Sequence, residues 1–347
     1  MRHFLICLTL AAVINSSGAP AESGTLIVLN KSDHTASLLD SASGALRATL
    51  PTAPGPHEVD VSPDGKLAVV TGYGAQGAAG NSLTVIDVAA AKVLRSVDLG
   101  EYTRPHGIQW APSGAALYVT AEGKHALIEL DPASWKIRRA LPTGQEVSHM
   151  VALAPKAGRA FVANIGSGSV TAFDLESGEL LKQIETGAGA EGIAATPDGA
   201  EIWVTNREAD TVSVIDPATL EVRATLPAAS FPIRVKLTPA GDRALVSCAR
   251  SGEVVVFDTA ARSELKRIKL ELAALDQTKQ RIFGDRFGSS PVPVGILIEP
   301  SGRRAFVAST NADAVSVLDL EQGKVVDVWQ VGKEPDGLGY SPLSAGE

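Results

Sequence analysis

The sequence predicts an all-β chain folded as a seven-bladed β-propeller with four-stranded antiparallel blades. Three observations predict it: a turn proline that returns at near-regular intervals, an apolar β-branched run after each turn, and an aspartate that closes the following run. The prolines stand at Pro63, Pro112, Pro155, Pro197, Pro239, Pro300 and Pro342, spaced by 49, 43, 42, 42, 61 and 42 residues. Turn sequences such as Pro63-Asp64-Gly65 and Pro197-Asp198-Gly199 mark them; proline presets φ for the first turn position and glycine accepts positive φ. Apolar runs follow, as in Ala116-Leu-Tyr-Val-Thr120 and Glu201-Ile-Trp-Val-Thr205. A second run ends in aspartate, as in Val170-Thr-Ala-Phe-Asp174, and a third follows, such as Val222-Arg-Ala-Thr-Leu226. A strand such as Gly192-Ile-Ala-Ala-Thr-Pro197 then leads into the next proline, which makes each unit a four-stranded blade. The closing acids Asp40, Asp87, Asp131, Asp174, Asp216, Asp258 and Asp319 recur in every unit, as Asx-type turns require, and are therefore scaffold.

Counting 42 residues back from Pro63 reaches residue 21, so the first unit lacks an innermost strand of its own. The terminal Gly337-Leu-Gly-Tyr-Ser-Pro342 has that strand's pattern and is predicted to complete the blade of residues 26–50, closing the ring. Residues 22–347 then form one propeller. Residues 1–21 read as a secretory signal peptide: a basic start at Arg2, the apolar stretch Phe4–Ile14 and the small-residue end Ala19-Pro20-Ala21. That stretch is too short to anchor a chain in a bilayer, so a periplasmic protein with no membrane span in its mature form is expected.

With 45% hydrophobic residues, 33 glycines and 20 prolines, the composition suits a turn-rich globular chain and excludes disorder. A net charge of −8 with no basic run repels phosphate backbones, so no nucleic-acid partner is expected. Cys7 falls in the leader, leaving Cys248 without a disulfide partner, and the absence of Cys-x-x-Cys-His excludes covalent haem. Gly72-Tyr73-Gly74-Ala75-Gln76-Gly77 has dinucleotide spacing but lies between two strands and precedes no helix. The chain has no phosphate-binding loop and no Gly-x-Ser-x-Gly elbow.

The stretches Tyr118-Val-Thr120, Trp203-Val-Thr-Asn206 and Val212-Ser-Val-Ile-Asp216, with the recurrent Gly-Ile-x-x-x-Pro-x-Gly pattern, resemble the YVTN family of seven-bladed propellers, typified by YncE-like periplasmic proteins. The resemblance covers the mature chain. It implies the fold but leaves activity open, since such propellers include sugar lactonases, cytochrome d1 domains, the propeller of nitrous oxide reductase and subunits without known chemistry.

What breaks the repeat is the candidate site. Six residues before each turn proline stand His57, His106, His149, Glu191, Ile233, Val294 and Asp336. This position opens the innermost strand, so its side chains are expected to ring the mouth of the central channel. Three imidazoles from successive blades, with Glu191 in reach, make a site for Zn²⁺, Cu²⁺ or Fe²⁺ with an open position. A polar or proton-handling pocket without metal and a ring of merely solvated side chains are the alternatives, and His57 shares strand phase with Val59 and Val61, which would turn its ring between blades. Two insertions, near 72–81 and 271–290, belong on the same face as the ring. Glu271–Phe283 has near-helical apolar spacing, which predicts a short helix, with Phe283, Arg286 and Phe287 as a lid. Tyr73, Asp336 and the arginines Arg104, Arg207, Arg234 and Arg250 are further candidates, the arginines for an anionic ligand. Cys248, at a strand end, is expected to be a half-buried, inert thiol.

The expectation is a monomeric binding protein that holds a small ligand or metal ion at the mouth and supports a periplasmic redox system. A lactonase or oxidoreductase using the three histidines as ligands and Glu191 or Asp336 as base is one alternative. A scaffold for a periplasmic protein partner is the other.

Overall fold

Each apolar run pairs with its neighbours as an antiparallel strand, and the strands form seven four-stranded sheets. The computed structural model describes residues 23–75, 77–275 and 281–346; the predicted leader, 1–21, lies outside them. The innermost strands are Pro56–Val61, Pro105–Trp110, Ser148–Ala154, Ala190–Ala195, Pro232–Leu237, Pro293–Ile298 and Pro335–Ser341. Each packs against the innermost strand of the next blade, which makes the ring. We count blades from the one built on Thr25–Asn30.

That first blade takes its inner strand from the far end of the chain: Pro335–Ser341 pairs with Thr25–Asn30, Tyr340 opposite Leu26 and Leu338 opposite Val28. The predicted closure is therefore the observed one. Second strands such as Thr25–Asn30, Leu117–Ala121 and Ile202–Asn206 are buried along their whole length, because neighbouring blades cover both faces. Outer strands such as Leu180–Glu185 are mostly exposed. Apolar clusters fill the wedges between blades, with Phe161, Ile193 and Val204 in one and Trp203, Val246 and Phe257 in another. The closing aspartates do turn work: Asp174 Oδ1 accepts from the N–H groups of Glu176 and Ser177, and Asp216 Oδ1 from that of Ala218. Among the described residues no helix is long and apolar enough to cross a membrane.

One local device recurs where each inner strand begins. The residues two places before the ring positions, namely Gly55, Arg104, Val147, Gly189, Phe231, Val292 and Glu334, all have φ between 54° and 74°. Non-glycine residues seldom adopt this region, and β-branched ones least of all. A β-bulge follows: between Pro56 and Val59, Pro105 and Ile108, and Ser148 and Met150, one extra residue interrupts the ladder. The phase that tied His57 to Val59 and Val61 is broken there, so that expectation is corrected. A bulge re-aims a side chain, and here it re-aims every ring position.

The inserted segment after the sixth blade also differs from expectation. Residues 271–275 and 281–283 are not helical, and 276–280 lie outside the described residues. Its polar groups bond outward to the seventh blade instead: the Leu275 N–H donates to Asn311 O at 2.9 Å, and Arg281 forms a two-pronged pair with Asp313 at 2.5 and 2.7 Å. Neighbouring-strand partners thus replace the ones a helix would supply.

Candidate functional site

The histidines do converge. The His57 and His106 rings lie 4.7 Å apart between centroids, and those of His106 and His149 3.6 Å apart. His106 is 2% exposed, and its Nδ1 is buried without a hydrogen-bond partner. His149 is held at both ring nitrogens, Nδ1 2.5 Å from Glu122 Oε1 and Nε2 3.3 Å from Glu191 Oε1. Ligand atoms of His106, Glu122 and His149 lie within 4.8 Å of one another, all three residues buried.

Glu122 stands where the metal set was expected to have Glu191 or His57. Besides His149, Glu191 is held by Arg207 Nη1 at 2.7 Å and Arg234 Nη1 at 3.0 Å. His57 lies beside the group, its Nδ1 2.9 Å from Gly55 O. If that nitrogen carries the proton, the bond fixes the tautomer and leaves Nε2 as the lone-pair nitrogen. Tyr73 donates its hydroxyl to Glu122 Oε2 at 2.6 Å, and Arg104 donates to Tyr73 Oη at 3.3 Å. The carboxylate is thereby oriented toward the imidazoles.

Below the histidines the channel is cross-braced. Arg234, 4% exposed, reaches from the sixth blade to Glu58 of the second at 2.7 Å while also holding Glu191. Lys31 pairs with Asp336 at 2.6 Å, both nearly buried. Buried charges persist only when paired, so Arg234 and Asp336 are anchored in the wall of the channel.

The network biases the protonation of the three histidines in different directions. Burial, with Lys31 nearby, pushes His57 down to about 3. Burial and the facing His149 hold His106 well below the usual imidazole range. Burial also opposes a charge on His149, but its bonds to Glu122 and Glu191 outweigh that and raise it. Burial would raise Glu191, and His149, Arg207 and Arg234 together hold it below the usual carboxylate range. Two imidazoles biased toward the neutral form, His57 and His106, thus stand in line with His149, whose proton the carboxylates on either side favour and which it would give up on taking a metal.

A cleft of about 920 Å³ opens beside the histidines between the first two blades, lined among others by His34, His57, Tyr73, Asn81, Ile282 and Glu334. Both insertions contribute to it, the first as the extended hairpin Leu67–Ala75 and Ala78–Asp87. Phe283 and Phe287 pack on Phe231 with Ile233, Val292 and Val294. Phe287 is 6% exposed and anchors this side of the mouth, and Arg286 stacks over it. Cys248 is fully buried, not half-buried, and burial pushes its thiol up to about 12, so it remains inert.

Sequence reasoning missed Lys31, Glu58 and Glu122, although the repeat carries a signal for each. By pairing register, Lys31, Tyr73, Glu122, Ile165, Arg207, Ala249 and Thr310 occupy one position, a second ring flanking the first. Five residues before the turn prolines, four blades carry Gly107, Gly192, Gly295 and Gly337, whereas Glu58, Met150 and Arg234 break the pattern, two of the three with a charge.

The fold and its mouth define a seven-bladed propeller with a buried imidazole–carboxylate cluster above a braced channel. The family described as YNCE-like beta-propeller matches residues 110–276, and the likeness to YncE-like propellers that the repeat implied is thereby shown. The chain is 26% identical over 183 residues to protein NirF of Stutzerimonas stutzeri, covering 50% of this chain and 46% of that one. It is 27% identical over 188 residues to the uncharacterized protein YncE of Salmonella typhimurium, covering 52% and 47%. The matched stretches thus span about half the length of these relatives. A solved structure titled Kuenenia stuttgartiensis hydrazine synthase shares the fold, with a TM-score of 0.69 at 19% identity, over 84% of this chain and 90% of that one.

Proposed function

We propose that this is a periplasmic propeller that binds a metal ion at the channel mouth, with room for a small ligand beside it, in support of a redox system. The buried group of His106, Glu122 and His149 carries this reading, together with the unpartnered Nδ1 of His106. An imidazole–carboxylate set suits Zn²⁺, Cu²⁺ or Fe²⁺. Bound there, such an ion would supply an open coordination position or, with copper or iron, a one-electron couple. The chain's own part is to hold and orient: Tyr73 and Arg104 fix Glu122, Glu191 fixes His149, and the arginines balance the carboxylates. The leader-like residues 1–21 support export.

The test is metal analysis of the mature protein after reconstitution with zinc, copper or iron in turn and desalting. The expected result is about one ion per chain for at least one metal, lost in His106→Ala and in Glu122→Gln. Less than about one ion per ten chains for all three overturns the reading.

A further inference from the structure

The side of the mouth formed by the fifth to seventh blades has a different character. Here the ring positions are Ile233 and Val294, and the buried rings of Phe231 and Phe287 pack beside them 4.9 Å apart. Three guanidinium groups gather on Phe231: Arg207 at 5.3 Å, Arg250 at 5.4 Å and Arg286 at 4.9 Å from its centroid. Arg250 and Arg286 also share Phe287, at 5.5 and 5.3 Å. They come from three separate segments: the loop after Ile202–Asn206, the loop after Arg243–Cys248, and the insertion.

Like charges repel, so such a gathering needs counter-charge. Arg207 has it in Glu191. Arg250 and Arg286, both exposed, have no ion-pair partner among the described residues; Arg250 donates only to Ser230 Oγ, at 2.9 Å. Cation–π contact with the phenylalanines holds the two guanidinium groups beside the rings, and their N–H groups, apart from the one Arg250 gives to Ser230, are available to a planar or tetrahedral oxyanion. On a chain of net charge −8, a localised positive site at a rigid mouth is a recognition feature, since scattered arginines would serve solubility equally well.

We infer that Arg250 and Arg286, stacked on Phe231 and Phe287, form an oxyanion-binding subsite for a phosphate or carboxylate group of the mouth's ligand. Arg207 links this subsite to the histidines, because it stacks on the same ring while holding Glu191, which in turn contacts His149. The inference rests on the mouth being the binding face but not on a bound metal.

The test is titration calorimetry on metal-free mature protein in low-salt, oxyanion-free buffer, with inorganic phosphate in one arm and acetate in the other. Saturable binding of either probe is expected, and the stronger one identifies the group. Affinity should fall about tenfold or more in the Arg250→Gln/Arg286→Gln double variant. It should be unchanged in Arg267→Gln, which alters an exposed arginine on an outer strand. Both altered side chains are exposed, and an unchanged melting curve verifies that the double variant folds. Equal binding by wild type and double variant, or no saturable binding of either probe, overturns the inference. Arginine-dependent phosphate or acetate binding by a chain that retains no metal leaves this subsite standing while the metal reading falls.

Discussion

His57, His106 and His149 occupy one repeat position, yet their surroundings assign them opposite tasks. His57 is neutral because burial and Lys31 oppose its charge, and its Nδ1 contacts a carbonyl oxygen. The imidazole of an unfolded chain titrates near 6.5 and that of folded His57 near 3. As the pH falls through this window the unfolded state takes up the proton first, so stability present above about 6.5 is lost on acidification. One such group contributes a slope of up to about 1.4 kcal/mol per pH unit. His57→Asn keeps a donor near Nδ1 but cannot titrate, so its unfolding free energy in urea should fall less steeply than wild type between pH 6.5 and 4. Superimposable pH profiles would sink this account. The three histidines were legible as breaks in a seven-fold repeat. Their partners were not, because Glu122 and Lys31 follow a different strand, and only the pairing register aligns them with Tyr73 and Arg207 as one ring.

At the scale of the strand, the mouth depends on how each bulge is satisfied. The extra residue takes an N–H out of the ladder, and a hydroxyl from the second strand replaces the lost partner: Thr120 Oγ1 accepts from Gly107 N–H at 2.8 Å and donates to His149 O at 2.6 Å. Thr205 accepts from Gly192 N–H in the same way, at 2.8 Å. The threonine of the Tyr-Val-Thr pattern is therefore a staple between blades, and Thr120 is the one that fixes the backbone of a histidine. Thr120→Val and Thr205→Val keep the shape and leave buried polar groups unpaired, which should cost each variant about 1–3 kcal/mol. Only Thr120→Val should also weaken metal retention at the mouth. Matching losses of metal in both variants would mean that the staple acts through general stability alone. The sequence displayed these strands plainly, since turn prolines and closing aspartates punctuate them. It could not display the bulge, which appears only when two strands are laid in register, nor the pairing of Leu275 and Arg281 with the seventh blade in place of a helix.

For the molecule as a whole, the ring is a set of blades that pack on their neighbours, the Arg234–Glu58 brace across the channel aside, so its weakest joint is where the chain ends meet. That joint is one strand. Pro335–Ser341 pairs with Thr25–Asn30, Ser341 Oγ donates to Gly65 O at 2.6 Å, and Ala345 N–H donates to Thr25 Oγ1 at 3.0 Å. Ala345 packs with Ile27, Leu29 and Val70 in the wedge between the first two blades. Asp336 supplies the counter-charge of Lys31. Deleting residues 336–347 strips one edge of the first blade, uncovers the apolar wedge and leaves a nearly buried lysine unpaired, which is costly. Thermal unfolding should move down by roughly 10 °C or more. A peptide of residues 335–346 added to the truncated chain should restore most of the loss, because the missing interactions are those of one strand and its short tail. An unchanged melting temperature after truncation would remove the closing strand's role, and a loss that the peptide leaves uncorrected would assign the effect to something other than pairing at this joint.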